Sequence, residues 1–155
     1  MMLRERGVAI DRVIADFISG AAEELVDYEG AGHEILFVEG QGSIVHPGYA
    51  GVMLGLMFGI MPDCMVLVHA PSRAKIGDSP YDMPDLMDLV RLYEAVMSPL
   101  KKSPVIAVIL NTAGFEEGEA RDMIERAQSE TGLPVSDPVR FGLSAVLDSV
   151  VEYLK

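Results

Sequence analysis

The side chains best able to do chemistry in this sequence gather in one short segment, Glu39-Gly40-Gln41-Gly42-Ser43. A carboxylate such as Glu39 can bind Mg²⁺ or a metal-bound water, and glycines let a ligand approach the backbone closely. Backbone amides in such a loop can hold an anion even in an acidic protein. The segment therefore predicts a site for a small anionic ligand. The alternative is an ordinary charged strand end, because a lone Gly-x-Gly motif is a weak signal.

Two histidines are candidates for acid–base chemistry. His46 and His69 each follow the end of a predicted strand, and imidazole titrates near neutral pH, so either could act as a general acid or base together with Glu39. The simpler alternative for each is a histidine that hydrogen-bonds a loop carbonyl. A metal site built from these histidines and a carboxylate is also open, although no two ligands show the close helical spacing of a metal motif.

Cationic and amide side chains follow the other predicted strands. Arg73 and Arg140 are candidates to bind a carboxylate or phosphate, because guanidinium groups form bidentate pairs with both. Arg140 could instead pair with Asp137, three residues earlier. Asn111 and the adjacent Thr112 are also candidates for ligand binding. The amide of Asn111 could recognise the edge of a nucleotide base, or equally it could cap a turn.

The elements that would position these residues alternate along the chain. Apolar runs without polar alternation predict strands buried on both faces of a parallel sheet at residues 34–38, 64–68 and 105–110, with a short fourth strand at 133–135. Helical patterns occupy residues 10–26, 48–60, 84–97, 116–131 and 143–154. The alternation predicts one α/β domain over residues 1–155. Ligands of such sheets bind at the carboxyl ends of the strands, where the candidate residues lie.

Two further segments carry expectations of their own. Gly51, Gly55 and Gly59 recur every four residues along an apolar helix and form one smooth stripe. Close packing of this helix against the sheet is favoured, and the alternative is a homo-oligomer interface. Residues 72–81 have little apolar content, which predicts an exposed loop that could be a mobile lid.

Composition excludes several classes of function. The formal net charge of −12 opposes binding to nucleic acid or anionic lipid. Cys64 is the only cysteine, so neither an internal disulfide nor a cysteine-based zinc site can form. The N-terminus lacks a signal peptide, and the most apolar stretch, residues 49–61, is too short to span a bilayer. These features predict a cytoplasmic protein with no membrane or nucleic-acid partner.

Standard nucleotide and hydrolase motifs are missing from the sequence. It contains no Gly-x-x-x-x-Gly-Lys-Ser/Thr and no Gly-x-Gly-x-x-Gly, so it cannot cradle a triphosphate or dinucleotide in the standard way by itself. It also has no Gly-x-Ser-x-Gly elbow, and Ser43 has no visible activating base.

Three strings nevertheless resemble one family. Residues 13–23, residues 38–43 with His46-Pro47, and residues 131–140 resemble the C-terminal P-loop-type domain of a bacterial and archaeal family long described as of unknown function, which includes D-glutamate N-acetyltransferases. The resemblance covers nearly the whole chain. It implies a three-layer sandwich with a mostly parallel central sheet, similar to part of a P-loop NTPase.

The same resemblance implies an activity. The first hypothesis is an acyl-CoA-dependent N-acetyltransferase, with acetyl-CoA as donor and an acidic amino acid as acceptor, in which residues 39–43 form part of the acyl or phosphate site. His46 or His69 would act as base toward the substrate amine, because an amine must lose a proton to attack a thioester. Arg73 or Arg140 would hold the substrate carboxylates.

Two other functions stay open. More distantly, the segment with Glu39 is similar to dethiobiotin synthetase-like enzymes, which implies Mg²⁺ at Glu39 and adenine contact at Asn111 in a nucleotide-dependent ligase. A third hypothesis is an oligomerising structural module whose interface is the glycine-rich helix.

The sequence departs from the family at its beginning. Family members carry a Rossmann-like domain and a phosphate-binding Gly-Lys-Thr loop before the point where Met1 falls. The chain is therefore expected to be the C-terminal part of a larger P-loop-type domain and to be inactive alone.

Because the loop lysine is absent from these 155 residues, we predict that the chain does not bind ATP tightly in the presence of Mg²⁺. Titration calorimetry with and without Mg²⁺ measures this directly. Tight binding that requires Mg²⁺ would contradict the prediction.

Overall fold

The computed structural model describes residues 9–155, with the backbone alone at Asp11. Contacts divide the chain into two compact units, Met1–Pro62 and Asp63–Lys155. Each unit is described separately below. The single domain over residues 1–155 stays a prediction, because contacts within each unit do not test whether the two fold independently.

The first unit is built around a pair of helices. Two 3₁₀ turns, Ile10–Arg12 and Ala15–Phe17, lead into α1 (Ile18–Gly30), and α2 spans Ala50–Ile60. A single helix was predicted over residues 10–26. The α-helix in the structure begins later, at Ile18, and ends later, at Gly30. The two helices pack together and bury their apolar faces, contributed by Ile18, Ala22, Leu56 and Met57.

Two glycines of the α2 stripe, Gly55 and Gly59, pack against α1. A Cβ at Gly55 would lie 2.6 Å from Ile18 Cγ2, and one at Gly59 would collide with the Ser19 carbonyl oxygen and lie 2.7 Å from Ala22 Cβ. The Ser19 hydroxyl donates to the Gly55 carbonyl over 3.0 Å. Close packing is therefore confirmed for Gly55 and Gly59, and the helix that they face is α1, since the missing side chains let the two backbones approach. Packing of α2 against the sheet stays a prediction. The homo-oligomer interface stays a prediction.

The first predicted strand does not form. No strand pairing involves residues 34–38 within the described part of the chain, and Ile35, Leu36 and Phe37 are 44%, 40% and 71% exposed. An uninterrupted apolar run is typical of a strand buried in a parallel sheet. A strand also needs a hydrogen-bonded neighbour, and residues 9–155 supply none to this run.

The second unit is an α/β fold with a parallel sheet, as predicted. Its three strands lie in the order β1-β2-β3 and are all parallel. The central strand is the best buried, with Ala107 and Val108 fully enclosed. Helices pack against one another and against β2 and β3. In chain order the elements are β1 (Met65–His69), α3 (Leu86–Met97), β2 (Val105–Leu110), α4 (Glu117–Thr131), β3 (Val135–Ser136), α5 (Pro138–Phe141) and α6 (Ser144–Tyr153).

The loop predicted over residues 72–81 is anchored rather than uniformly exposed. Lys75 and Asp82 form a 2.6 Å ion pair and an isolated antiparallel bridge. Between them Ile76 is buried, and its backbone N–H donates to the Tyr81 carbonyl over 3.0 Å. The low apolar content of the segment did not indicate that Ile76 is buried. This side chain anchors the middle of the loop.

The most apolar helix is short. With 11 residues, α2 is about 16 Å long at 1.5 Å per residue, whereas the hydrocarbon core of a bilayer is roughly 30 Å thick. Across residues 9–155, no helix is both long and apolar enough to cross a membrane.

We predict that Gly59→Ala lowers the free energy of unfolding by about 1–2 kcal/mol, because the new Cβ must displace the α1 backbone. The matched variant is Gly51→Ala, on the same stripe, where a Cβ would have no neighbour within 4 Å and should raise stability by about 0.5 kcal/mol through helix propensity. Urea denaturation of both variants measures the difference. Equal stability of the two variants would contradict the packing described above.

Candidate functional site

The carboxyl ends of the three parallel strands bring one set of candidate residues to the same edge of the second unit. His69 pairs in register with Leu110, and Ile109 pairs with Ser136. Asn111 and Asp137 follow these positions, and the Asn111 N–H donates to the His69 carbonyl over 2.8 Å. The structure thus places His69, Asn111, Thr112 and Asp137 along one edge, which we call the strand-end edge.

A buried carboxylate organises this edge. Asp137 is 3% exposed, and its Oδ2 accepts hydrogen bonds from the Thr112 backbone N–H at 2.9 Å and the Thr112 hydroxyl at 2.5 Å. Its Oδ1 accepts from the N–H groups of Val139 and Arg140 at 3.0 and 3.3 Å, which caps α5. Since both oxygens are engaged, Asp137 holds two loops together. Ligand binding by Asp137 and by the fully buried Thr112 stays a prediction.

Opposing influences act on the pKa of Asp137. Burial raises it, whereas the hydrogen bonds from Thr112, Val139 and Arg140 stabilise the carboxylate, and the net pKa lies below the ordinary value. The carboxyl group is therefore ionised at neutral pH and completes the capping arrangement in that form.

Arg140 does not form the local ion pair that was the simpler interpretation of the sequence. Its Nη2 donates to the Phe115 carbonyl over 2.8 Å, and only its backbone N–H contacts Asp137. The reason is geometric, because the Asp137 carboxylate turns inward to Thr112 and the helix N-terminus. The side chain is exposed and is oriented by the loop that precedes α4.

Asn111 caps a turn with its carbonyl. Its Oδ1 accepts from the Ala113 N–H over 3.1 Å, and the side chain is exposed. The capping alternative is therefore confirmed, while recognition of a base edge stays a prediction.

His69 is the half-buried imidazole of the strand-end edge. Burial lowers the pKa of His69 below its ordinary value, Glu130 raises it, and Arg73 lowers it further, with a net decrease. The ring is consequently neutral at pH 7 and can accept a proton. Arg73, exposed in the loop after β1, is the cation whose charge reaches this ring.

The segment from Glu39 to Ser43 lies in the first unit, in a loop with a constrained backbone. Gly42 has φ +73°, and a Cβ there would lie only 2.5 Å from Tyr49 Cβ, so the position requires glycine. The Ser43 hydroxyl accepts from the Val45 N–H over 3.4 Å. Glu39 and Gln41 line a cavity beside this loop. The loop follows residues 34–38, of which Ile35, Leu36 and Phe37 are exposed, and not, as predicted, a buried strand.

His46 is held by the same loop. Its Nδ1 accepts from the Gly48 N–H over 3.1 Å, and its ring centroid lies 4.7 Å from that of Tyr49. A neutral imidazole that accepts at Nδ1 carries its proton on Nε2, so the remaining nitrogen donates. This geometry favours His69 over His46 as a proton acceptor.

No metal cluster accompanies Glu39 in the described structure, since residues 9–155 contain no group of three His, Cys, Asp or Glu placed to hold an ion together. Mg²⁺ binding by Glu39 stays a prediction. Each set of candidate residues is assembled within its own unit: the segment with Glu39 and His46 in the first, and the strand-end edge in the second.

Sequence reasoning missed the contacts that shape the strand-end edge. The Thr112–Asp137 pair joins residues 25 apart, and the Arg121 guanidinium lies 4.3 Å from the Phe141 ring centroid. The sequence does predict a helix or turn entry at Ser136-Asp137-Pro138, and the structure confirms it, with Asp137 capping α5. The second partner of Asp137, Thr112, could not be predicted, because nothing local in sequence links the two residues.

Parallel strands with helices packed against them, and polar residues at the strand ends, define an α/β protein of the class that binds ligands at one edge of its sheet. The family model described as "Domain of unknown function (DUF1611_C) P-loop domain" matches residues 1–147. The chain belongs to this family, which confirms the resemblance seen in the sequence.

Named relatives match nearly the whole chain. Two proteins called D-glutamate N-acetyltransferase, from Pseudoalteromonas sp and Tritonibacter scottomollicae, are 37% and 35% identical over 150 residues, or 95% and 93% of this chain. The chain spans 45% and 44% of their lengths. A crystal structure of a DUF1611 family protein from Anabaena variabilis superposes with a TM-score of 0.91 at 41% identity, covering 97% of this chain and 45% of that one.

We predict that Asp137→Asn lowers the free energy of unfolding at pH 7 by about 2–3 kcal/mol, because buried donors lose a charged acceptor. The pKa of Asp137 is lower in the folded state, so its stabilisation is present above the unfolded-state pKa and lost as pH falls through the folded-state pKa. The difference in the free energy of unfolding between wild type and variant should therefore decrease below about pH 4.

Urea denaturation at several pH values provides the measurement, and Asp148→Asn is the exposed control, for which we expect little change. A difference between wild type and Asp137→Asn that stays constant down to pH 2 would show that the ionised carboxylate is not what the variant removes.

Proposed function

We propose that this chain is part of an enzyme that transfers an acetyl group from acetyl-CoA to the amino group of an acidic amino acid, D-glutamate being the acceptor suggested by the relatives' names. The observation that carries the proposal is the neutral, half-buried imidazole of His69 at the strand-end edge. The family's matched region contains this residue.

Acetyl transfer to an amine needs a base. The amino group of an amino acid is protonated at neutral pH and must lose a proton before its nitrogen attacks the thioester carbonyl. His69 can accept that proton because burial keeps the ring neutral. The thiol of the coenzyme leaves, and the acceptor gains the acetyl group.

Two arginines of the second unit are suited to bind the carboxylates of an acidic amino acid. An acidic amino acid has two carboxylates, and guanidinium groups bind carboxylates through paired N–H donors. Arg140 is exposed and pre-oriented by the Phe115 carbonyl, and Arg73 is exposed in the loop after β1. We assign the carboxylates to these two side chains.

Acetyl-CoA would supply the activated acyl group when bound. His69 accepts the proton of the acceptor's amine, and Arg73 and Arg140 donate to its carboxylates, so we assign none of these three side chains to the coenzyme. The cap formed by Asp137 and Thr112 would act on the reaction only through the loops that it positions.

A second candidate function is a nucleotide-dependent ligase in which Glu39 binds Mg²⁺. The description of the family as a P-loop domain favours it. Thermal denaturation separates the two candidates when it is done on a chimera in which this chain replaces the matching 150 residues of the Pseudoalteromonas relative. Either acetyl-CoA, or ATP with Mg²⁺, should raise the melting temperature of the chimera, depending on which ligand it binds.

We predict that His69→Gln reduces acetyl transfer to D-glutamate by about 10²-fold or more. The assay follows thiol release from acetyl-CoA, using a chimera in which this chain replaces the matching 150 residues of the Pseudoalteromonas relative. In the active enzyme kcat/KM should fall as pH drops through the pKa of His69, which lies below the ~6.5 of free histidine, because protonation removes the base.

His33→Gln is the matched control, since this exposed histidine belongs to neither set of candidate residues, and it should leave turnover unchanged. We expect His46→Gln to have a smaller effect than His69→Gln. A folded chimera without thiol release that depends on D-glutamate contradicts the proposed function, whereas full activity of His69→Gln removes only the assigned base.

A further inference from the structure

A four-residue helix carries Arg140. Helix α5 (Pro138–Phe141) is about one turn long, and a helix this short is not stable by itself, because nucleation costs more than its few hydrogen bonds return. Contacts outside the helix must therefore hold it. Two of these come from its own flanks: the Asp137 carboxylate caps its beginning, and the Ser136 hydroxyl donates to the carbonyl of Gly142, just after its end, over 2.7 Å.

Two arginines join α5 to α4 in opposite directions. Arg140 of α5 reaches the loop before α4, where its Nη2 donates to the Phe115 carbonyl over 2.8 Å. Arg121 of α4 reaches back, and its guanidinium carbon lies over the Phe141 ring, 4.3 Å from the ring centroid. Phe141 directly follows Arg140 in the chain. The contact made by Arg121 therefore holds the backbone from which the Arg140 side chain extends.

The two guanidinium groups differ in their charge partners. Arg121 forms an ion pair with Glu117, one turn earlier in α4, at 2.7 Å, and its Nε donates to the same oxygen over 3.2 Å. Arg140 donates to a neutral carbonyl, and no carboxylate pairs with its side chain in the part of the chain that the structure describes. Since a guanidinium has five N–H donors, Arg140 keeps both donors and charge for an anion. Arg121 is better suited to hold α5.

We propose that Arg121 is a positioning residue for Arg140: by stacking on Phe141 it holds α5, and with it the Arg140 guanidinium, where that group meets a carboxylate of the acceptor. The inference rests on the proposed function, which assigns the acceptor carboxylates to Arg73 and Arg140. Arg121 itself touches no substrate. It reduces the freedom that Arg140 loses when the acceptor binds, and a preorganised side chain binds more tightly.

Kinetics of an Arg121→Ala variant test the proposal, in the chimera that carries this chain in place of the matching 150 residues of the Pseudoalteromonas relative. The KM for D-glutamate should rise about fivefold, the factor that corresponds to loss of an exposed cation–π contact. The kcat should change by less than about twofold, because the carboxylate contact is made equally before and during acetyl transfer. A merely structural role would instead lower kcat through loss of folded enzyme and leave KM unchanged.

A double-mutant cycle shows whether Arg121 acts through Arg140. Arg140→Ala alone should raise the KM for D-glutamate at least as much as Arg121→Ala does. Adding Arg121→Ala to Arg140→Ala should raise KM no further, because the guanidinium that Arg121 positions is already absent. Additive effects of the two substitutions would overturn the proposal, and so would a KM that Arg140→Ala leaves unchanged.

Two further variants separate the stacking contact from charge in general. Arg121→Lys keeps a cation that can lie over the Phe141 ring and should partly restore the KM of the wild type. Arg126→Ala is the matched control, since this exposed arginine of α4 donates through its Nε only to the Asp122 carbonyl of its own helix, over 3.4 Å, and it should leave KM and kcat unchanged. An equal rise in KM for Arg126→Ala and Arg121→Ala would overturn the proposal, because loss of any positive charge would then be sufficient.

The outcomes distinguish the positioning role from the proposed function. A folded chimera with Arg121 intact that shows no thiol release dependent on D-glutamate contradicts the proposed function and overturns the positioning role with it. An active chimera in which Arg121→Ala leaves the KM for D-glutamate unchanged overturns the positioning role alone.

Discussion

One buried carboxylate holds the strand-end edge of the second unit in shape. Strands β2 and β3 end at loops that would otherwise be independent, and Asp137 accepts from the loop after β2 through Thr112 while it caps the helix after β3. The ionised Asp137 is only 3% exposed. Four hydrogen-bond donors compensate for the water that its carboxylate loses on burial. The position of Arg140, the orientation of its side chain toward Phe115 and the turn at Asn111 all depend on this arrangement.

The strands show what local sequence can and cannot predict. The run at residues 105–110 was predicted to the residue as β2, because it is central and finds a neighbour on each side. The run at 34–38 has the same apolar character but no pairing partner among the described residues, so it forms no strand, and Ile35, Leu36 and Phe37 are exposed. Apolar composition is a property of the segment, whereas pairing belongs to two segments, so the pattern alone could not separate these cases.

The candidate site was predictable to a similar degree. The rule that ligands meet strand ends identified His69, Asn111 and Asp137, and the register of the sheet places them together. The sequence could not show which of the two histidines is the better proton acceptor. That depends on the Gly48 N–H, which donates to His46, and on the burial that lowers the pKa of His69. Likewise, the glycine stripe revealed a close approach of backbones, and only the structure identified α1 as the partner.

The left-handed backbone at Gly42 has a consequence for how the loop of Glu39 could recognise anything. Its neighbour Tyr49 fills the space that a side chain would take and also contacts His46. The loop thus loses much of its freedom when the chain folds and not when a ligand arrives. A partner would meet a preorganised surface, and the association would forfeit less conformational entropy than an adaptable glycine-rich loop would require.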